Sequence, residues 1–152
     1  MALRRSFPAE TQQAIEQAVR ECESLHAGEI RFAIEQALSP LQAWQMTPRD
    51  RAIEIFSQLR VWDTEYNNGV LIFVLLADRA VEIVADRGVA GGDIDASEWQ
   101  PACRLIQQAF AAGNYRQGAV DGVRAVAEVL ARHPPGPRAG RNELPDAPVI
   151  FR

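Results

Sequence analysis

The sequence predicts an α/β domain in which helices cover both faces of a mixed sheet, and three observations support this prediction. The chain has 152 residues, the length of one domain, and 47% of them are apolar, which is enough for a substantial core. Helical and strand patterns follow each other in the order helix, strand, helix, strand, strand, helix, helix. One uninterrupted apolar run, residues 70–77, is typical of a strand covered on both faces.

The first half of the chain supplies a helix, a strand and a second helix. Ser6-Phe7-Pro8 predicts a helix start, with Ser6 as the capping residue and Pro8 in the first turn, and the helical spacing of apolar residues ends near Leu25. Residues 29–35 alternate between apolar and polar, which predicts a half-buried strand. Thr47-Pro48 is a strong helix start, with Thr47 as the capping residue, and the apolar stripe continues to about Trp62.

The second half begins with the predicted central strand. A two-residue link, Asp78-Arg79, separates the 70–77 run from a second β-rich run, 80–85, and predicts an antiparallel hairpin. A turn centred on that link would place Leu71 opposite Asp86. A loop is expected over 86–95, where Asp95 and Glu98 form a capping-box pattern. Two amphipathic helices follow, interrupted at Gly113-Asn114.

The C-terminal part differs in composition from the rest, so we divide the chain into a domain over 7–133 and a Pro/Gly-rich tail over 134–152. Closely spaced prolines and glycines predict that residues 134–142 lack regular structure. Residues 149–151 are apolar and are expected to dock on the body as a short edge strand.

Composition excludes several functional classes. The net charge of −4 argues against nucleic-acid binding through bulk positive charge. No apolar run is long enough to span a bilayer. Cys22 and Cys103 fall in apolar helical stripes, which predicts small buried side chains rather than ligands of a soft metal. Residues 1–8 lack the long apolar core of a secretory signal, so we expect a cytoplasmic protein with reduced thiols.

The predicted topology brings oxygen-bearing side chains to one edge of the sheet. The first two strands are joined through a helix and should be parallel, whereas the hairpin is antiparallel. The start of the first strand, the start of the second and the end of the third therefore meet, next to two further loops. Hard oxygen ligands in one place favour calcium or magnesium. The predicted metal ligands are Asp63, Asn68, Asp86 and Asp93, with Glu29 nearby.

Two other interpretations of these residues stay open at this point. Asp and Asn are common in loops because they form side-chain turns, so these residues are also what an ordinary solvated loop would contain. Arg87 or a nearby arginine would also neutralise the carboxylates without a metal. Glu29, at a strand start, is compatible with a solvent-facing position. The sequence gives no local support for a Ser/His/Asp or Cys/His arrangement.

Several segments resemble the TPM domain, a family shared by a thylakoid lumen protein, a photosystem II repair protein and a nematode receptor modulator. The most specific segment is NNGVLIFVLLADRAVEIVADRGV, residues 67–89. Further likeness lies in the segments 28–31, 110–118 and 142–146. The resemblance covers roughly residues 7–150, and the tail is most similar to a small soluble bacterial subgroup.

The resemblance implies an α/β/α sandwich, an acidic edge that binds divalent cations in some members, and acid-phosphatase activity in some members. This chain has Asn67-Asn68-Gly69 where the family typically has Asp-Asn-Gly, and Asp86-Arg87-Gly88-Val89 where it has Gly-Tyr-Gly-Leu. Two functions follow as hypotheses. The first is a divalent-cation-binding interaction module that acts on a protein partner. The second is a metal-dependent phosphomonoester hydrolase, in which the cation neutralises phosphate charge.

Overall fold

The chain folds as an α/β/α sandwich around one mixed sheet. The structure is a computed structural model, and it describes residues 5–23, 28–90, 94–133 and 143–151. The described strands are β1 (Glu29–Glu35), β2 (Gly69–Leu75), β3 (Ala80–Ala85) and β4 (Val149–Phe151). The described helices are α1 (Ala9–Glu23), α2 (Pro40–Gln45), α3 (Pro48–Gln58), α4 (Arg87–Ala90), α5 (Gln100–Ala111) and α6 (Tyr115–Arg132), with a 3-10 turn at Ala96–Glu98.

The sheet has the strand order β3-β2-β1-β4, which confirms the predicted topology. β1 and β2 are parallel, and β2 and β3 form the antiparallel hairpin. Every residue of β2 is buried, as its unbroken apolar sequence predicts for an interior strand. One face of the sheet packs on α1, α5 and α6, and the other packs on α3 together with Val61 and Leu144.

The register predicted for the hairpin is wrong by two residues. Leu71 pairs with Val84 rather than with Asp86. The reason is a longer turn: pairing stops at Leu75 and Ala80, because Leu76 and Ala77 donate their amides to β1-side carbonyls instead. The turn closes with a hydrogen bond from the Arg79 amide to the Leu76 carbonyl, and Arg79 has a φ of 52°.

β1 is buried on both faces, so the prediction of a half-buried strand is wrong. Its polar side chains are bound by residues that are distant in the sequence. Arg51 on α3 forms a buried bidentate ion pair with Glu35, with nitrogen–oxygen distances of 2.7 and 2.8 Å. Arg31 donates to the carbonyl oxygens of Pro145 and Ala147. The alternating residues of β1 therefore face the two layers that cover the sheet, and neither face of the strand is open to solvent.

Helix starts follow the sequence signals closely. Thr47 caps α3 in a capping box with Asp50, as predicted for Thr47, and Asp95 forms the predicted box with Glu98 at the 3-10 turn. The short helix α2 was not predicted, although Ser39 and Gln42 carry the same capping-box signature. Arg87–Ala90 is a helical turn inside the segment expected to be a loop.

The C-terminal segment returns to the sheet beside β1. β4 pairs with β1 in parallel, with Ala33 opposite Val149, and forms an edge of the sheet. The predicted irregular segment 134–142 lies outside the described residues. Both cysteines are buried, as predicted.

Candidate cation site

The predicted site lies where β1 and β2 begin and β3 ends. We call this end of the sheet the strand-start end. Glu29 of β1 pairs with Gly69 of β2, and the Asp86 amide donates to the Gly69 carbonyl at 2.9 Å. Glu29 and Asp86 therefore flank Gly69 at a separation of two strand spacings, about 10 Å. A Cβ at Gly69 would lie 2.0 Å from the Val61 carbonyl oxygen, so the chain needs glycine between them.

Asp86 has the coordination capacity that a cation requires. Its Oδ1 accepts the Arg87 amide at 2.7 Å, which fixes the carboxylate at the end of β3. Its Oδ2 is buried and accepts no hydrogen bond from the part of the chain that the structure describes. A buried carboxylate oxygen without a donor is costly, and a bound cation would remove that cost.

The two loops around Asp86 touch, as the topology predicted. The Gly88 amide donates to the Asn67 carbonyl at 2.8 Å. A Cβ at Gly88 would lie 2.1 Å from the Tyr66 carbonyl oxygen, so only glycine permits this approach. Asn67 has a φ of 52°, a left-handed conformation that asparagine tolerates, and Asn68 beside it is buried. The arrangement places the main-chain carbonyls of Tyr66 and Asn67 against the loop that follows Asp86.

Glu29 is buried and has a different role from the two that the sequence suggested. Its Oε1 accepts the amides of Glu143 and Leu144 at 2.9 and 3.0 Å, so it anchors the C-terminal segment. Burial raises the pKa of Glu29, and these two hydrogen bonds oppose that rise. Glu29 is thus not solvent-facing, and its Oε1 atom is engaged by the C-terminal segment.

Asp63 lies on the solvent side of the strand-start end. Its carboxylate is exposed and pairs with Arg60 at 3.1 Å. An arginine therefore neutralises this member of the predicted set, although it is not Arg87. To bind a cation together with Asp86, Asp63 would have to leave this exposed ion pair, which is worth little in water.

Asp93, the remaining predicted ligand, lies outside the described residues. Among the residues that are described, no group of three or more His, Cys, Asp or Glu side chains is arranged to hold a metal ion. The described donors that fit a hard cation are thus the Asp86 carboxylate and neighbouring amide and carbonyl oxygens, a set compatible with calcium rather than zinc.

A second group of carboxyls at this end was missed by sequence reasoning. The pKa of Glu23 is raised from 4.5 to about 10, mainly by burial and then by a hydrogen bond with Asp146. Arg20 lies 3.7 Å from the Asp146 carboxylate. Because Asp146 returns from the far C-terminus, no local sequence signal indicates this contact.

The family model of the TPM domain matches residues 4–129, most of the chain. The chain belongs to the TPM domain family. This confirms the resemblance seen in the 67–89 segment. Among functionally curated proteins, no sequence match is found.

Two solved structures support membership in the TPM domain family at the level of fold. The NMR structure of the BA42 protein from the psychrophilic bacterium Bizionia argentinensis is 31% identical, covers 94% of each chain and has a TM-score of 0.78. The N-terminal domain of a protein from P. gingivalis is 23% identical, covers 82% of this chain and 78% of that chain, and has a TM-score of 0.64. None of the described helices of this TPM domain has both the length and the apolar character needed to cross a membrane.

Proposed function

We propose that this TPM domain is a divalent-cation-binding interaction module, with calcium or magnesium bound at Asp86. The observation that carries the proposal is the Asp86 Oδ2 atom, which is buried and accepts no hydrogen bond from any described residue. Asn68 and the carbonyl oxygens of the adjoining turn supply neutral oxygen ligands, and water completes the coordination. Asp93 is proposed as a second carboxylate ligand and Asp63 as an outer one.

The charge balance at the strand-start end supports a cation there. Neither Glu29 nor Asp86 takes part in an ion pair within the described part of the chain. Carboxylates that share one end of a sheet repel each other, and a divalent cation relieves this repulsion more effectively than an exposed arginine.

The interaction role is supported by exposed apolar side chains. Helix α2 buries none of its residues, and Trp44 on this helix is 87% exposed. Leu41 on the same helix and Ile53 on α3 are also exposed. Neighbouring apolar side chains that form a patch on a surface are typical of protein contacts, and Leu41 and Trp44 lie one turn apart on the same helix. The described part of the tail, by contrast, is bound to the body through Glu29 and Arg31.

Calorimetric titration of metal-free protein with calcium, and separately with magnesium, tests the proposal. We expect saturable binding that is lost in Asp86→Asn, a variant that keeps the shape and removes the charge. Asp78→Asn is the matched control, because it makes the same charge change in the exposed turn at the opposite end of the sheet. Binding that is absent at millimolar cation, or equal in both variants, would overturn the proposal.

The same samples decide whether the module is also an enzyme. Turnover of p-nitrophenyl phosphate that needs the cation and disappears in Asp86→Asn would assign a metal-dependent phosphomonoester hydrolase. Cation binding without turnover would assign an interaction module alone.

A further inference from the structure

A cavity of about 350 Å3 lies at the opposite end of the sheet, where β1 and β2 finish. Gln36 directly follows β1, and Leu76 directly follows β2. In open α/β sheets, ligands bind preferentially outside the carboxyl ends of the parallel strands. The volume falls within the range of small-molecule sites.

The walls of the cavity are largely apolar. Val74 and Val81 contribute from the hairpin strands. Phe110 and Tyr115 contribute aromatic rings whose centroids lie 5.2 Å apart, and both rings pack against Phe7. A wall of mutually packed aromatic rings is preorganised for a flat apolar ligand.

Two polar features of the cavity have no partner among the residues that the structure describes. The Oε1 atom of Gln36 is buried and accepts no hydrogen bond from the described residues. Arg79 carries the only charge among the described lining residues, and it forms no ion pair with the described part of the chain. The Gln107 side chain donates to the Arg79 carbonyl at 3.0 Å, so α5 holds the turn that carries this arginine.

We infer that this cavity binds a small organic anion that has a flat apolar body and an N–H or O–H donor. The apolar body lies between the hairpin strands and the rings of Phe110 and Tyr115. The anionic group pairs with Arg79, and the donor bonds to the Oε1 atom of Gln36. Each element of the ligand thus matches a side chain that has no such partner among the described residues.

Indole-3-acetate is a suitable probe, because it combines a flat ring system, an N–H group and a carboxylate. Titration into 15N-labelled protein should shift the side-chain amide signals of Gln36 and Gln107 saturably, with a Kd below about 1 mM. Indole-3-acetamide has the same shape without the charge and should bind about tenfold more weakly.

Variants separate this site from general surface binding. Arg79→Gln should make the acetate and the acetamide bind equally, whereas the matched change Arg104→Gln, on the exposed side of α5, should leave their tenfold difference intact. 1-Methylindole-3-acetate, which lacks the N–H, should lose affinity for the unmodified protein but not for Gln36→Leu.

Three results would overturn the inference: no saturable shift at about 10 mM probe, equal affinities of acetate and acetamide for the unmodified protein, or shifts that map to the strand-start end. The titrations are done with chelator present, so their outcome is independent of cation binding.

Discussion

Glu29 and Glu35 lie at opposite ends of the same strand, and each is 5% exposed, yet the protein stabilises their charges in different ways. Glu35 receives a guanidinium, because both of its oxygens accept from Arg51. Glu29 receives two main-chain amides from the C-terminal segment and no ion pair from the described residues. The charge of Glu35 is therefore compensated by a cationic side chain, whereas the charge of Glu29 is compensated by hydrogen bonds.

This difference explains why a cation is proposed at one end only. Hydrogen bonds from amides orient a carboxylate but leave its negative charge in place. At the strand-start end that charge adds to the charge of Asp86, whose Oδ2 is buried. At the other end the paired arginine leaves little for a cation to neutralise.

The largest expected effect on stability comes from replacing Arg51. Arg51→Met leaves the Glu35 carboxylate buried without a counter-ion and should lower the free energy of unfolding by about 3–5 kcal/mol. Urea unfolding measures this change. The double variant Arg51→Met with Glu35→Leu should recover most of the loss, and Arg124→Met, which breaks only an exposed pair at 3.9 Å, should change stability little. A loss below about 1 kcal/mol for Arg51→Met would contradict the comparison.

A smaller effect is expected at the other end of β1. Glu29→Gln removes the charge that strengthens two hydrogen bonds to the tail, and should lower the free energy of unfolding by about 1–3 kcal/mol. Amide hydrogen exchange of Glu143 and Leu144 should quicken more than exchange in β2. Glu128→Gln, on the exposed side of α6, is the control. Unchanged exchange at both tail amides would show that Glu29 does not anchor the segment.

The protonated carboxyl of Glu23 gives a pH dependence. Its pKa of about 10 in the folded protein lies above its ordinary value of 4.5, so the folded state holds a proton that the unfolded chain releases. Its contribution to stability is complete below about pH 4.5 and declines as the pH rises toward 10. Between pH 5 and 9, the free energy of unfolding of Glu23→Gln should fall by at least about 1 kcal/mol less than that of the unmodified protein. Parallel pH profiles for the two proteins would contradict this.

The smallest effects are expected at the helix caps. Thr47→Ala should lower the free energy of unfolding by about 1 kcal/mol, because α3 packs on the sheet and loses a cap bond. Ser39→Ala removes the same kind of bond from α2, which buries no residue, and should change stability by less than half as much. Thermal unfolding of the two variants compares them, and equal losses would show that the burial of a helix does not govern the value of its cap.

Elements of the fold can be predicted from the sequence where neighbouring residues determine them. The apolar run of β2 predicts an interior strand, and Thr47 and Asp95 predict caps that the structure forms. The register of the hairpin could not be predicted from Asp78-Arg79, because the amides of Leu76 and Ala77 donate to Glu35 and Gln36 rather than to β3. Helix α2 carries a readable capping signal, but six residues are too few to show periodicity.

The candidate site was predictable in its position but not in its contacts. The antiparallel pairing predicted for β2 and β3 correctly places the 67–69 turn against the 86–88 loop. The roles of Glu29 and Glu35 were not predictable, because their partners come from residues 143–144 and from Arg51 in other elements. A charged residue in a strand is expected to face solvent unless such a distant partner is known.

Mapping of cation binding by NMR tests the central claim most directly. Calcium added to metal-free, 15N-labelled protein should shift the main-chain amides of Asn68, Asp86 and Gly88 saturably, while the amides of Gln36 and Arg79 at the other end of the sheet stay in place. Asp86→Asn should abolish these shifts. Saturable shifts that centre on the Glu35–Arg51 end, or no shift at any amide at millimolar calcium, would contradict the account that the strand-start end is the one that needs a cation.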